Sequence, residues 1–215
     1  MQKKGYSFNS SADFELIREI KEKFCFVSND IDADRQLERT TSFFNSFYLL
    51  PDGSRIHLSD EKFEAPEILF NPYLVGRDED GVSEMVFKSI NNCPIDTRVG
   101  LYNSMVLSGA TTLFPGFTTR LENEMKALCK KNNIKNDKKA KVSINVIDSP
   151  RRRYSVFIGA SIIANYYNNN QSNDYWITIN EWLECGENVD KKTKIIKDKC
   201  QSYFKDGSNL KKKLD

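Results

Sequence analysis

The stretch Val106-Leu-Ser-Gly-Ala-Thr-Thr-Leu-Phe-Pro-Gly116 is the strongest indication of the fold in this chain. Apolar Met105–Leu107 predicts a short buried strand, Ser108–Thr112 are all small, and Pro115-Gly116 predicts a turn. A main chain without large side chains at the end of a strand lets a ligand lie against the backbone. An ordinary strand-to-helix turn has the same composition, so this stretch alone does not establish a binding site.

A helix predicted upstream carries charged residues that suit such a site. Ser10 and Asp13 have the spacing of a capping box, which predicts the start of a helix that runs to Phe24. Its apolar stripe is formed by Phe14, Ile17, Ile20 and Phe24. Its polar side carries Arg18, Lys21 and Glu22. A second basic group, Arg151-Arg-Arg153, follows a predicted strand. Both groups also fit a solvated surface, with Arg18 paired to Glu22.

Short helices and strands are predicted along most of the chain. A hairpin is predicted from Phe47–Leu50 and Arg55–Leu58, which flank Pro51-Asp-Gly53. Helices are predicted at Glu64–Phe70, Val82–Ile90, Ile95–Tyr102, Phe117–Lys130 and Tyr154–Tyr166, and a strand at Val142–Val146. Polar Ile31–Ser46 is predicted to be mobile or helical, and charged Lys130–Lys141 to be a surface loop.

Composition narrows the class of protein. The chain has 215 residues and a formal net charge of +2, which favours no particular partner. Its five cysteines lack metal-type spacing, and their odd number suggests buried thiols in a reducing compartment. No apolar run is long enough to span a membrane, and no secretory signal follows the Lys-rich start. The single histidine, His57, is predicted to face solvent on a strand and has no second histidine with which to bind a metal.

Seven segments of the chain together match one known family. They are Gly5-Tyr-Ser-Phe8, Arg18-Glu-Ile-Lys-Glu-Lys23, Leu50-Pro-Asp-Gly53, Phe63-Glu-Ala-Pro-Glu67, Ile95-Asp-Thr-Arg98, Val106–Gly116 and Pro150–Ile158. In this order, from Gly5 to about Gly186, the chain resembles the actin family. The Phe63, Ile95 and Pro150 segments and the polar insertion Lys130–Lys141 resemble the actin-related protein 2 subfamily rather than conventional actin. The resemblance implies an α/β fold, namely the C-terminal half of an actin-like fold of the actin, Hsp70 and hexokinase type, which is incomplete without its N-terminal half.

The resemblance also implies a nucleotide site whose nucleoside half lies in this chain. Its residues are Arg18, Lys21, Glu22, Gly109, Ala110, Thr111, Thr112, Leu113, Phe114 and Arg153. Glu22 suits the ribose, because a carboxylate accepts hydrogen bonds from hydroxyl groups. Lys21 and Arg153 have long stems and cationic heads that can cover a purine. Gly109–Thr111 supply a close backbone, and by resemblance Leu113 and Phe114 pack beneath the base.

Three residues of this site depart from the family pattern. Ala110 stands where the family has a second glycine, and its methyl group costs on the order of 1 kcal/mol or more if the backbone there needs a positive φ angle. Phe114 stands for a tyrosine and lacks its hydroxyl group. Arg153 stands for a lysine, which keeps the charge but changes the shape. Each departure is expected to weaken nucleotide binding rather than abolish it.

The phosphate half of the site is not found in the sequence. Phosphate recognition needs backbone N–H groups from Gly-rich loops, usually with a carboxylate for Mg²⁺, and we find neither in the 215 residues. The resemblance implies ATP or ADP with Mg²⁺ in the intact protein. It assigns the phosphate hairpins, and the residues that orient the attacking water, to the absent half. We therefore expect no catalytic residue, no metal site and no ATP hydrolysis in this chain.

The resemblance divides the chain into four parts and adds a second surface. Residues 1–103 match the small subdomain on the nucleoside side and its connection, and 104–153 match the rest of the larger C-terminal subdomain. Residues 154–186 match helices that pack on the absent half, and 187–215 form a basic extension. The surface consists of Ile158, Ile162, Ile163 and Tyr166, which would border an apolar cleft for the amphipathic helices of regulators. A core-facing stripe is the simpler interpretation of these four residues. The extension holds nine lysines against five acidic residues and fits either a solvated tail or a basic amphipathic helix.

The sequence leaves three functions open. The first is a fragment of an actin-related protein 2-like subunit, which acts with actin-related protein 3, the other subunits of the nucleating complex, actin filaments and nucleation-promoting factors. The second is a conventional actin-like filament ATPase, which the insertion and Pro150-Arg-Arg argue against. The third is a stand-alone binding module whose basic tail engages a filament, a lipid or a nucleic acid. We prefer the first, in the cytoplasm and cytoskeleton or in the nucleus, without a membrane or nucleic-acid partner, and expect upstream coding sequence to supply the missing half.

Overall fold

Helices dominate the parts of the chain that the computed structural model describes, which are residues 6, 8–135, 143–169 and 176–200. The chain separates into two units, Met1–Ser155 and Val156–Asp215. The helices are α1 (Ser11–Phe24), α2 (Ile31–Thr40), α3 (Glu61–Glu67), α4 (Val82–Asn91), α5 (Ile95–Asn103), α6 (Phe117–Lys135), α7 (Ser155–Asn169), α8 (Ile179–Glu184) and α9 (189–200). The strands are β1 (Ser46–Leu49), β2 (Arg55–Leu58), β3 (Met105–Val106) and β4 (Val146–Ile147).

The first helix begins where its sequence predicts. The Ser10 hydroxyl accepts from the Asp13 amide at 3.2 Å, and the Asp13 carboxylate accepts from the Ser10 amide at 2.9 Å, which completes the capping box. The predicted apolar stripe is wrong at Phe14, which is 63% exposed, whereas Ile20 is only 4% exposed. Leu16 replaces Phe14 in the apolar face, since residues 16, 20 and 24 are spaced by four and therefore share one face of the helix.

That face of α1 packs against the β1–β2 hairpin, which the Pro-Asp-Gly turn correctly predicts. The strands are antiparallel, with Ser46 opposite Leu58 and Leu49 opposite Arg55. Ile56 and Leu58 are fully buried against α1, because alternate residues of a strand share a face. His57 lies on the other face and is half-buried, with its ring 5.1 Å from that of Phe47.

A second core forms around α6. Phe117, Leu121, Met125 and Cys129 recur every four residues of this helix and are all buried. They pack with residues from α4, α5 and the neighbouring segments: Val27, Phe70, Ile90, Tyr102 and Val146. The helix continues to Lys135, so the start of the predicted loop Lys130–Lys141 is helical, and residues 136–142 lie outside the described chain.

A short parallel strand pair completes this core. Met105 pairs with Val146 and Val106 with Ile147. The prediction of a buried strand at Met105–Leu107 is wrong for Val106, which is 70% exposed, because only its neighbours on the alternate face pack on the core. The predicted strand at Val142–Val146 starts later, at Val146, and Val142 lies outside the described residues.

Other predicted elements shift by a few residues. Polar Ile31–Ser46 is helical from Ile31 to Thr40, and Asp30 caps the start of α2 by accepting from two amides. The helix predicted at Glu64–Phe70 runs from Glu61 to Glu67.

All five cysteines are free thiols, and Cys25, Cys129 and Cys185 are buried. No described helix combines the length and apolarity that a membrane crossing needs.

The described part of the second unit contains helices that expose apolar side chains. On α7, Val156 is 76% exposed, Phe157 is 74% exposed and Ile162 is 65% exposed. Thr178 and Glu181 form a capping box at the start of α8. Lys192 of α9 lies 4.7 Å from the centre of the Trp182 ring, so α8 and α9 contact each other.

Candidate functional site

Seven of the ten residues predicted to bind nucleotide line one cavity of about 180 Å³ in the first unit. We call this cavity the slot. Its lining residues are Lys21, Glu22, Ala110, Thr111, Leu113, Phe114 and Arg153. They come from the last turn of α1 and from two 3-10 turns, Ala110–Leu113 and Arg152–Tyr154. Pockets for whole drug-sized ligands measure roughly 300–1,000 Å³, so the slot fits a base and part of a sugar rather than a complete nucleotide.

Helix α1 supplies the charged wall of the slot. Ile20 and Phe24 turn one face of the helix into the core, which leaves Lys21 and Glu22 on the other side. A Glu22 carboxylate oxygen lies 3.7 Å from the Arg153 guanidinium, and the two side chains are 46% and 41% exposed. Ion pairs this exposed contribute about 0–1 kcal/mol, so ligand hydroxyl groups can compete for the carboxylate.

The opposite wall is a turn with an unusual backbone at its start. Gly109 has a φ angle of +92°, and a Cβ atom placed there would meet no atom within 4 Å. Ala110 is the first residue of the 3-10 turn and therefore has a right-handed helical backbone. The positive φ angle that would make an alanine costly falls on Gly109, so the methyl group of Ala110 adds no backbone strain to this wall.

The floor of the slot is apolar and continuous with the core. Leu113 and Phe114 both line the slot, and Phe114 also packs against the α6 core. The Pro115 carbonyl accepts from the Val27 amide at 2.8 Å, which anchors the end of the turn. Gly116 is needed next to it, since a Cβ atom there would lie 2.3 Å from the Val27 carbonyl oxygen and its φ angle is +85°.

Three predicted residues do not line the slot. Arg18 pairs with Glu15 on the outer side of α1, so the alternative Arg18–Glu22 pair is not formed. Gly109 lies just before the lining residues. Thr112 turns away from the slot, where its hydroxyl group donates to the Gly109 carbonyl at 2.8 Å and accepts from Arg152 at 3.0 Å.

Arg152 is a residue of this region that the sequence did not single out. It is 8% exposed, although its neighbours Arg151 and Arg153 are exposed. Nothing local distinguishes the middle member of three consecutive arginines. Only the folded structure, which shows the oxygen acceptors around each side chain, identifies the buried arginine of this run.

A second, apolar cavity of about 130 Å³ is lined by residues of α1, β2 and α3, and shares Lys21 with the slot. Its lining includes Ile20, Leu58 and the Cys25 thiol. Burial raises the pKa of Cys25 to about 11, and this effect is only partly offset by the nearby positive charges of Lys21 and Lys62. The thiol is therefore neutral at physiological pH and suits packing rather than nucleophilic chemistry.

The predicted partner surface lies on α7 in the second unit. Ile158, Ile162 and Ile163 are exposed, and Tyr166 is half-buried with its ring 5.4 Å from that of Tyr167. The alternative of a core-facing stripe does not hold for the three isoleucines in this structure.

Chemically, the residues of the slot suit the binding of a small ligand. They combine one carboxylate, two cationic side chains, a close main chain and an apolar floor, a set that suits a base and a ribose. Among the described residues there is no group of three or more His, Cys, Asp or Glu side chains arranged to hold a metal ion.

Comparisons with known proteins identify the family of the chain. A family model described as Actin matches residues 1–201. The chain is 40% identical over 188 residues to actin-related protein 2 of Saccharomyces cerevisiae, and 42% identical over 188 residues to that of Acanthamoeba castellanii. Each match covers 86% of this chain and 48% of the relative, so the chain spans about half the length of the curated relatives it matches. The described structure is accordingly a partial actin-like α/β fold, and the chain belongs to the actin family.

Proposed function

We propose that the slot holds the adenosine part of ATP or ADP in an actin-related protein 2-like subunit. The observation that carries this proposal is the convergence of Lys21, Glu22 and Arg153 with the Ala110–Phe114 backbone around one cavity. These residues lie far apart in the sequence, and residues of an ordinary solvated surface are not expected to converge on one cavity.

Each group in the slot has a role in this proposal. The Glu22 carboxylate accepts from the ribose hydroxyl groups, and the Arg153 guanidinium lies 3.7 Å from it. The stems of Lys21 and Arg153 cover the base, and Leu113 and Phe114 support it from below. Since the close main chain at Ala110–Thr111 carries only small side chains, the sugar can lie directly against it.

The phosphates and Mg²⁺ belong to a part of the family fold that these 215 residues do not span. The described donor groups do not fit a metal site, so we assign no Mg²⁺ ligand to this chain. We propose that the chain does not hydrolyse ATP by itself and that the intact protein acts by assembly rather than by turnover.

We further propose that the intact protein works in the cytoplasmic cytoskeleton as a subunit of the complex that nucleates branched actin filaments. Its partners there would be actin-related protein 3, the other subunits, actin filaments and nucleation-promoting factors. The support for this proposal is the similarity to actin-related protein 2 across 86% of the chain. The exposed isoleucines of α7 fit a contact surface for an apolar partner helix.

Glu22→Ala tests the nucleoside site. Hydrogen bonds to a charged acceptor contribute roughly 1.5–3 kcal/mol, so the variant should bind adenosine about tenfold or more weakly. Saturation-transfer NMR on adenosine measures this with little protein and detects weak binding. Glu15→Ala is the matched control, because Glu15 lies on the same helix but pairs with Arg18 outside the slot. Equal affinities of the two folded variants would show that the site is misplaced.

Ligands with different numbers of phosphates provide a second readout. The slot addresses only base and ribose, so adenosine, ADP and ATP should bind the 215-residue chain with similar, low affinity. A strong, Mg²⁺-dependent preference for ATP would contradict the proposal, because it requires a phosphate site within this chain.

A further inference from the structure

We propose that Arg152 is the positioning residue of the slot: it clamps the turn that forms one wall to the segment that carries Arg153. The inference rests on the proposed nucleoside site. It concerns a side chain that does not touch the slot itself.

Arg152 uses its guanidinium group to hold the end of the turn. Its Nε atom donates to the Thr112 hydroxyl at 3.0 Å, and one terminal nitrogen donates to the Thr112 carbonyl at 2.8 Å. The other terminal nitrogen donates to the Ser149 carbonyl at 3.0 Å. The planar guanidinium group thus joins two separate segments of main chain, which a lysine ammonium could not do with the same geometry.

The main chain of Arg152 holds the beginning of the same turn. Its carbonyl oxygen accepts from the Gly109 amide at 2.9 Å. Gly109 and Thr112 are therefore both fixed to one residue, and the two residues between them, Ala110 and Thr111, are the ones that line the slot. Because Arg153 follows directly in the chain, Arg152 fixes the position of the turn relative to Arg153.

Burial makes this clamp strong. The Arg152 side chain is 9% exposed, and the Asp148 carboxylate lies 3.9 Å from its guanidinium group. Asp148 is itself held by the Thr118 hydroxyl, which donates to it at 2.8 Å at the start of α6. Hydrogen bonds from a buried charged group are stronger than exposed ones. Removal of the group takes this donor from the Thr112 carbonyl, whereas the Ser149 carbonyl still accepts from the Arg152 amide at 3.0 Å.

Adenosine affinity in the 215-residue chain tests the proposal, with Arg152→Ala, Arg152→Lys and Arg151→Ala compared by saturation-transfer NMR. We expect both Arg152 variants to bind about tenfold more weakly or worse. Arg151→Ala removes the same charge from an exposed neighbour and should stay within about twofold of the unchanged chain. Millimolar guanidinium ion should restore binding to Arg152→Ala by refilling the buried position, and should not restore it to Glu22→Ala.

Hydrogen exchange of the amides of residues 109–112 separates this inference from the proposed function. If the unchanged chain does not bind adenosine, the nucleoside site is wrong, and faster exchange of this turn in Arg152→Ala but not in Arg151→Ala would still support the clamp. Unchanged affinity and unchanged exchange in the Arg152 variants would overturn it. If Arg152→Ala does not fold, Arg152→Lys, which keeps the buried charge, gives the result.

Discussion

At the scale of single residues, three glycines of the first unit differ in backbone conformation and in the space available for a Cβ atom. Gly109 and Gly116 both have positive φ angles, but only Gly116 lies against another main chain. Gly100 lies inside α5 without a positive φ angle and with nothing near its missing Cβ atom. Three alanine substitutions should therefore have three different effects on the free energy of unfolding.

Gly109→Ala should destabilise the chain by about 1 kcal/mol or more through backbone strain. Gly116→Ala should cost more, because its Cβ atom would overlap the Val27 carbonyl at 2.3 Å. Gly100→Ala is the control and should stabilise the chain by about 0.4–1 kcal/mol, since alanine loses less entropy on entering a helix. Urea unfolding followed by circular dichroism measures all three. If Gly109→Ala also stabilised the chain, the left-handed backbone at the slot wall would be wrong.

Residue types predict which residues line the slot better than they predict which residues hold its wall in position. Lys21, Glu22 and Arg153 carry functional groups that point to a nucleoside. Arg152 and Thr112 act through contacts with residues about 40 positions away in the chain. Such contacts leave no local pattern, so the clamp could not be derived from the sequence. Thr112 was predicted to bind nucleotide, whereas in the structure it binds Arg152.

At the scale of the elements, an ion pair joins α6 to α3. Two nitrogens of the Arg120 guanidinium donate to the two carboxylate oxygens of Glu67 at 2.8 and 3.2 Å, and the side chains are 12% and 4% exposed. Arg120 also donates to Glu124 at 2.5 Å and to the Ser28 carbonyl at 2.6 Å. This single side chain therefore connects three segments of the first unit.

Glu67→Ala should be strongly destabilising. Removal of one partner from a buried pair typically costs about 3–5 kcal/mol, and the lower end applies here because Arg120 keeps Glu124 as a partner. Glu122→Ala is the control on α6, since Glu122 pairs with the exposed Lys126 at 3.1 Å and should cost about 0.5 kcal/mol or less. Urea midpoints measure both variants. Similar losses from Glu67→Ala and Glu122→Ala would show that the α3–α6 pair is not buried in solution.

Helices with caps and four-residue spacing were predictable from the sequence, and paired strands far apart in the chain were not. Ser10 and Asp13 mark the start of α1 through local hydrogen bonds, and the Pro-Asp-Gly turn sets the hairpin register. The β3–β4 pair joins residues about 40 positions apart, so its length and the exposure of Val106 depend on packing that local patterns do not encode.

At the scale of the whole molecule, the second unit has an excess of exposed apolar surface. Val156, Phe157 and Ile162 of α7 are each more than 60% exposed, and Ile179 and Leu183 of α8 are exposed to a similar degree. A helix that is apolar on most sides is normally buried by other elements. The family resemblance supplies a reason, since it predicts that residues 154–186 pack against the N-terminal half of the fold.

The 215-residue chain should therefore self-associate or bind a hydrophobic dye when it is purified alone. Large exposed apolar patches promote association because burial of apolar area is favourable by about 25 cal/mol per Å². Combined substitution of Val156, Phe157 and Ile162 by lysine should reduce dye fluorescence and shift the chain toward monomer in sedimentation. Lysine at Ser161, an exposed polar position of the same helix, is the control for added charge. A monomer that unfolds in one sharp transition and binds no dye would mean that this surface is covered within the chain itself, and the predicted packing against an N-terminal half would then lose its structural support.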